Sequence, residues 1–311
     1  MTRPVATLGV FDGVHRGHAA MLSETAAWAR EIGGTSVAIT FNRHPEAILR
    51  AHPPRALTSL EHRLNLIEKT GIDVAIVLHF DERLARMTAE DFVKEILVDR
   101  VQAAGVVFGY NARFGYQAKG DTALLRDLGK KYGFEVRVPE PFLATGAPVS
   151  STRVRNLIMR GELAEAAELL GRPVTLRGTV VHGDKRGATL GFPTANLNLH
   201  HEVTPPDGVY IARVRVDDKT RWGLVNIGFR PTFQRGGQAP RRTVEVYIEG
   251  YEGGGLYGRV MEVEVARYLR AERRFESSAA LVEQMERDRR MLDAYRREKE
   301  AKRLDAEGEC R

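Results

Sequence analysis

Hydrophobic and polar positions divide the chain into two regimes. Up to about residue 140, short apolar runs alternate with stretches of helical spacing. Val5–Val10, Ser36–Phe41, Asp73–Phe80, Gly105–Tyr110 and Phe134–Val138 are of strand length. Between them, Thr58-Ser-Leu-Glu61 has capping-box spacing and opens a helix over 60–69, and Thr88-Ala-Glu-Asp91 similarly precedes one over 92–98. Gly33-Gly34, Gly71 and Gly133 stand where helices should stop. Strands alternating with helices predict right-handed crossovers and a parallel, Rossmann-like sheet covered on both faces.

The pattern then changes. Residues 150–160 and 163–170 read as helices, and from Pro173 onward short strands follow one another directly. They are Val174–Val181, Ala195–Leu199, Gly208–Val216, Arg221–Ile227, Arg242–Gly250 and Val260–Leu269. Met261, Val263 and Val265 alternate with Glu262 and Glu264, as a strand with one buried face requires. Such a series predicts a small antiparallel barrel. From about Ser278 a helix carries Leu281, Met285, Leu292 and Tyr295 on one stripe, to be laid against that barrel. The expected organisation is therefore an α/β domain over 1–170, a barrel with its helix over 171–300, and a charged tail over 301–311.

Length and charge narrow the function. The 311 residues suffice for two domains of ordinary size, and a formal net charge of +6 suits small anionic substrates. No block of Lys and Arg interleaved with aromatics occurs, so no nucleic-acid partner is expected. Cys310 is the only cysteine, which excludes an intrachain disulfide or a cysteine zinc site. No apolar run approaches the roughly 18–20 residues of a membrane helix, and no signal peptide precedes the first strand. A soluble, cytoplasmic protein with no membrane partner is expected.

The candidate chemistry begins at Leu8-Gly-Val-Phe11-Asp12-Gly13-Val-His15-Arg-Gly17-His18, between the first strand and a helix. An open parallel sheet receives nucleotides at such a junction. Paired imidazoles beside helix-start amides suit a polyphosphate, whose oxygens gather charge in a phosphoryl-type transition state. Pro148-Val-Ser150-Ser151-Thr152-Arg153-Val-Arg155 combines cap hydroxyls with first-turn arginines. Cations oppose the dipole at that end unless an anion sits there, and Arg153 offers a bidentate fork for one. In Phe108–Gly115 and onward to Asp121, Asn111, Arg113 and Lys119 read either as contacts in the same crevice or as a solvated loop.

A second constellation runs from Val181 to Asn196, with Gly183, Gly187, Gly191 and Pro193-Thr194-Ala-Asn196. It is not a Walker A loop, since GxxxxGK[ST] occurs nowhere. It reads either as a plain glycine-rich hairpin or as a phosphate cradle. Thr194 and Asn196 share a strand face, where their oxygens suit Mg²⁺. In Thr243–Ile248, the apolar Val244, Val246 and Ile248 share one face. Glu245 points the other way, as a solvated glutamate or as a base for an alcohol.

With these residues in view, the chain resembles the bacterial bifunctional riboflavin kinase/FMN adenylyltransferases over about residues 5–295. The resemblance lies in FDGVHRGH, SSTRVR, GFPTAN, Val225-Asn-Ile-Gly-Phe-Arg-Pro-Thr232 and Arg270-Ala-Glu-Arg-Arg-Phe-Glu-Ser277, in that order. It implies that the barrel phosphorylates riboflavin to FMN with ATP, with Thr194 and Asn196 as Mg-nucleotide ligands and Glu245 as base. It implies that the N-terminal domain joins FMN to the AMP part of ATP, giving FAD and pyrophosphate. By that resemblance Phe11, Gly13, His15, His18, Asn111, Ser151, Thr152 and Arg153 serve the adenylyltransferase nucleotide, Gly183 serves the kinase nucleotide, and Arg270 and Phe275 hold flavin. Arg43, Ala112, Ala188 and Tyr247 depart from common family residues, and Lys185 or Arg186 would supply the charge Ala188 lacks. Three other readings compete. One is an adenylyltransferase whose barrel only binds flavin or regulates; another is a related nucleotidyltransferase acting on a different substrate; the third is a nucleic-acid-binding protein.

Overall fold

The computed structural model describes residues 1–49, 51, 53, 55–183, 191–200, 203–217, 219–229, 242–251, 255–273 and 275–308. The chain forms two compact units. The first comprises residues 1–155 and 168–171, and the second comprises 156–167 and 172–311.

In the first unit, β1 (Val5–Leu8), β2 (Ser36–Phe41), β3 (Val74–Leu78), β4 (Gly105–Val107) and β5 (Glu135–Arg137) form a five-stranded sheet of order β3-β2-β1-β4-β5. Every pairing is parallel. Its helices are α1 (Arg16–Glu31), α2 (Glu46–Leu49), α3 (Leu60–Glu68), α4 (Glu82–Arg86), α5 (Ala89–Phe92) and α6 (Thr122–Tyr132). The wide turns of a π-helix, Val93–Val101, continue α5. β1 and β2 are buried along their whole length. Ala6, Leu8, Val37 and Ile39 pack into one core with Phe92, Ile96 and Phe108. Ala38 packs with Phe11, Leu22 and Ile67 in a second cluster, and Val5 packs with Trp28 in a third. Central parallel strands are apolar for this reason: both faces lose their water. At the edge, β3 alternates half-buried and exposed positions.

A two-stranded hairpin, β6 (Leu143–Ala144) and β7 (Ala147–Pro148), leads into α7 (Ser151–Arg160), whose first turn belongs to this unit. After α8 (Leu163–Leu170), the second unit closes β8 (Val174–Val181), β9 (Thr194–Leu199), β10 (Gly208–Val216), β11 (Lys219–Phe229), β12 (Arg242–Ile248) and β13 (Val260–Arg270) into an antiparallel barrel of order β10-β11-β12-β9-β8-β13. Alternating residues fill it: Ala195 and Leu197, Val244 and Val246, Met261, Val263 and Val265. The last helix, α9 (Ser278–Gly308), lays Leu292 against Ile211 and Leu224, with Trp222, Leu269 and Tyr295 around them.

Two local expectations change. The cap of α3 is Ser59, which accepts from the His62 amide, so the capping register lies one residue beyond Thr58. On α9 the buried positions include Gln284 and Asp288 as well as Leu292, so its inward stripe is partly polar.

Candidate active sites

Between β1 and β4 the strand order reverses, so the loops leaving their carboxyl ends run to opposite faces and open a crevice. A cavity of about 680 Å³ occupies it. Its wall joins Gly9 and His15 after β1, His18 on α1, residues 109–118 after β4, and 148–151 ahead of α7. The remainder is largely apolar, with Phe41, Leu49, Phe80, Leu84 and Phe92 along one side.

The loop that presents the histidines is tightly wound. Phe11, Gly13 and Val14 all have positive φ, at 52°, 80° and 38°. A side chain at Gly13 would also collide with Leu57, so glycine is required twice over. Non-glycine residues in this region are strained and persist where their surroundings over-determine them. Asp12 supplies that constraint. Its buried carboxylate accepts from the amides of Leu57 and Thr58 at 2.9 and 3.2 Å and pairs with Arg155 Nη2 at 3.0 Å. Thr58 Oγ1 in turn accepts from Gly13 N at 3.1 Å, which is why it is not the cap of α3.

Beyond this loop His15 caps α1, its Nδ1 accepting from His18 N at 3.2 Å. The two imidazoles stack with centroids 3.7 Å apart, and the edge of Phe11 meets His18. Burial holds the His18 pKa well below the ordinary histidine range, with His15 and Arg63 adding repulsion. His18 is therefore neutral near pH 7, and its Nδ1 is buried without a hydrogen-bond partner. Arg63 donates from beneath to the carbonyls of Val10 and Phe41, at the ends of β1 and β2.

The remaining predicted residues divide. Ser150 caps α7 by accepting from Arg153 N at 3.3 Å, and Ser151 Oγ donates to the Asp12 carbonyl at 2.9 Å; both reach the cavity. Asn111 and Arg113 line it from the β4 side. Arg153 does not: its guanidinium donates to the carbonyls of Ala144 and Ala147 and to Thr145, bracing the β6–β7 hairpin. Thr152 is exposed and, like Lys119, lies outside the cavity wall. The Phe11 ring is fully buried beneath the loop, and the Gly13 amide is engaged by Thr58. Asp12, Arg155 and Arg63 take roles here that their sequence pattern does not assign. The available signal was a carboxylate set in the otherwise apolar and glycine run Phe11–Val14.

The barrel places the predicted polar residues of β9 and β12 on one outer face. Glu245 lies directly opposite Asn196 of β9 on one side and Asn226 of β11 on the other. Thr194 lies two positions from Asn196 on the same face. Burial alternates along β12 with Val244, Val246 and Ile248 inward, so Glu245 faces outward as its sequence pattern predicts. A Cβ at Gly183 would overlap the Asn196 amide, so the backbone after β8 passes directly over that side chain. Glu272 accepts from Asn226 Nδ2 at 3.2 Å. Arg270 is bound by Asp288 of α9 through three contacts of 2.8–3.0 Å, and its guanidinium lies 6.0 Å from the Phe275 ring centroid. At one barrel end, away from the Glu245 cluster, a cavity of about 330 Å³ is lined by Val214, Val216, Lys219, Arg221, Ile248 and Tyr251. His182 stacks on Tyr257 beside that end, with centroids 3.8 Å apart. Lys185, Arg186 and Ala188 lie outside the described residues.

A doubly wound sheet with paired histidines at its switch point, followed by a closed barrel with its own polar face, defines a two-unit, nucleotide-using transferase. Family models agree unit by unit: one described as FAD synthetase matches residues 1–153, and one described as riboflavin kinase matches 170–295. A bifunctional riboflavin kinase/FMN adenylyltransferase of Escherichia coli K12 is 37% identical over 91% of this chain and 90% of its own length. Those of Listeria monocytogenes and Bacillus subtilis are 35% and 34% identical, each over 94% of this chain and 92% of theirs. The chain belongs to the bifunctional riboflavin kinase/FMN adenylyltransferase family. A solved Streptococcus pneumoniae structure, described as a macrolide-efflux protein, superposes with a TM-score of 0.82 at 29% identity and 94% coverage of both chains. Among the described residues of this chain, no helix is long and apolar enough to cross a membrane.

Proposed function

We propose that the chain makes FMN from riboflavin and FAD from FMN, using ATP in both steps, with residues 1–170 carrying the adenylyltransferase and 171–300 the kinase. The observation that carries this reading is the presence of two separate polar clusters, one in each unit: the histidine cluster lining the large cavity and the Thr194, Asn196 and Glu245 cluster on the outer face of the barrel.

In the first unit, the apolar side of the large cavity suits the flat flavin ring, and the histidine side suits the triphosphate. An FMN phosphate oxygen attacks the α-phosphorus of ATP. The new P–O–P bond forms as the α–β bridge breaks, and pyrophosphate leaves with the bridging oxygen. His15 and neutral His18 donate hydrogen bonds to the phosphoryl oxygens, where such donors act most strongly in a dry site. Asn111 and Ser151 complete the polar wall. Arg153 and Thr152 serve by holding the α7 start and its hairpin, and Phe11 and Gly13 by shaping the loop.

In the second unit, Glu245 takes the proton of the ribityl 5′-hydroxyl as that oxygen attacks the γ-phosphorus and ADP leaves. Thr194 and Asn196 offer neutral, hard oxygen donors, which fit a Mg²⁺ whose other ligands are nucleotide phosphates. Bound there, Mg²⁺ neutralises phosphate charge. Gly183 lets the backbone approach that nucleotide, and Arg270 and Phe275 border the flavin. Both activities belong in the cytoplasm, where ATP is supplied.

Riboflavin incubated with the protein, ATP and Mg²⁺ should yield FMN and then FAD on chromatography. His18→Ala should abolish FAD formation and leave FMN formation intact. Glu245→Gln should block riboflavin phosphorylation while added FMN is still adenylylated. Loss of both activities in either folded variant contradicts the assignment.

A further inference from the structure

The adenylyl-transfer reading brings two polyanions together, the phosphate of FMN and the triphosphate of ATP. Their mutual repulsion must be neutralised by the cavity wall or by cations carried in. Burial keeps His18 neutral near pH 7. Arg153, the cation expected from sequence to grip an anion, is engaged by the hairpin carbonyls and Thr145. Arg63 is buried beneath the loop on the carbonyls of Val10 and Phe41, and Arg155 is paired with Asp12. Among the described residues lining the cavity, one permanent cation remains, Arg113.

Arg113 is exposed, and among the described residues its side chain makes one hydrogen bond, a 3.3 Å donation to the neighbouring Ala112 carbonyl. No carboxylate pairs with it among the described residues. Its backbone is nevertheless well placed. The Ala112 amide closes a turn onto Gly109, and Phe114 exchanges two backbone hydrogen bonds with Gly120, at 3.1 and 2.8 Å. The adjoining Phe114 ring is buried against Phe92 and Phe108 at the apolar side of the cavity. A guanidinium is thus carried on a braced loop after β4, next to the apolar wall and across the switch point from the histidines.

We infer that Arg113 binds the phosphate of FMN and holds it in line for attack on the α-phosphorus, while the histidine side of the cavity handles the triphosphate. A planar fork suits a phosphate monoester, gripping two oxygens and leaving the third to attack. Placement beside the apolar wall assigns it to the flavin substrate rather than to the pyrophosphate end. The inference rests on the adenylyltransferase reading.

The test is steady-state FAD formation by the full chain with FMN and ATP varied separately. Arg113→Gln should raise KM for FMN by about 10- to 100-fold, the usual scale for a lost charge-assisted contact. KM for ATP should change little, showing that the adenylyltransferase unit is folded, and riboflavin phosphorylation by the same preparation should stay at the wild-type rate. Arg113→Lys should recover part of the loss through its charge. In the reverse direction, KM for pyrophosphate should be unaltered. Unchanged FMN kinetics in Arg113→Gln, or a rise confined to ATP or pyrophosphate, would overturn the inference while leaving the adenylyltransferase reading intact. Failure of the wild-type chain to make FAD at all would overturn both.

Discussion

At the scale of single residues, His18 and Asp12 carry opposite electrostatic burdens. Folding lowers the His18 pKa below its ordinary 6.5. Between that value and the folded one, the unfolded chain binds the extra proton, so stability falls as the pH is lowered through this window. Above about pH 6.5 both states are neutral and the effect vanishes. His18→Gln should therefore flatten the acid limb of a urea-denaturation series and leave neutral-pH points nearly parallel to wild type. Asp12 instead stays buried by pairing with Arg155 and by accepting from two backbone amides. Asp12→Ala leaves a nearly buried guanidinium without its carboxylate and should cost about 3–5 kcal/mol in chemical denaturation. It should also depress FAD formation more than FMN formation, because the loop that loses its clamp presents only the histidines.

Elements show where local spacing is trustworthy. Thr88 as the cap of α5 and Gly133 after α6 follow rules that act within one turn, and the structure places both as their spacing predicts. Thr58 broke the rule because a partner 45 residues away, Gly13, competes for its hydroxyl. On α9, Gln284 and Asp288 are buried because Arg270 and Arg273 reach them from the end of β13 and the following turn. Leu292, fully buried between Ile211 and Leu224, is the apolar anchor of that helix. Leu292→Ala should destabilise the second unit by about 2–5 kcal/mol, read as earlier thermal loss of riboflavin phosphorylation than of FMN adenylylation. Equal loss of both activities would argue against two independently packed cores.

At the scale of the whole molecule, two units with separate cores imply two separable catalysts in one chain. Mixing His18→Ala with Glu245→Gln should restore conversion of riboflavin to FAD, after a lag during which FMN accumulates in solution. Absence of FAD from the mixture would mean that FMN made on one chain does not reach another.

What the amino-acid order alone determined is whatever depends on near neighbours. The alternation of strands and helices, the switch to consecutive strands after Pro173, the outward aspect of Glu245 and the histidines at the start of α1 are all of this kind. Each follows from a period of two or 3.6 residues, or from a cap within one turn. Tertiary structure alone decided which cations are free. Arg153 is consumed by a hairpin, Arg155 by Asp12 and Arg63 by strand-end carbonyls, whereas Arg113 is left facing the cavity. Charge availability is a property of three-dimensional pairing: a guanidinium in a motif looks the same on paper whether or not a distant carbonyl or carboxylate has already claimed it.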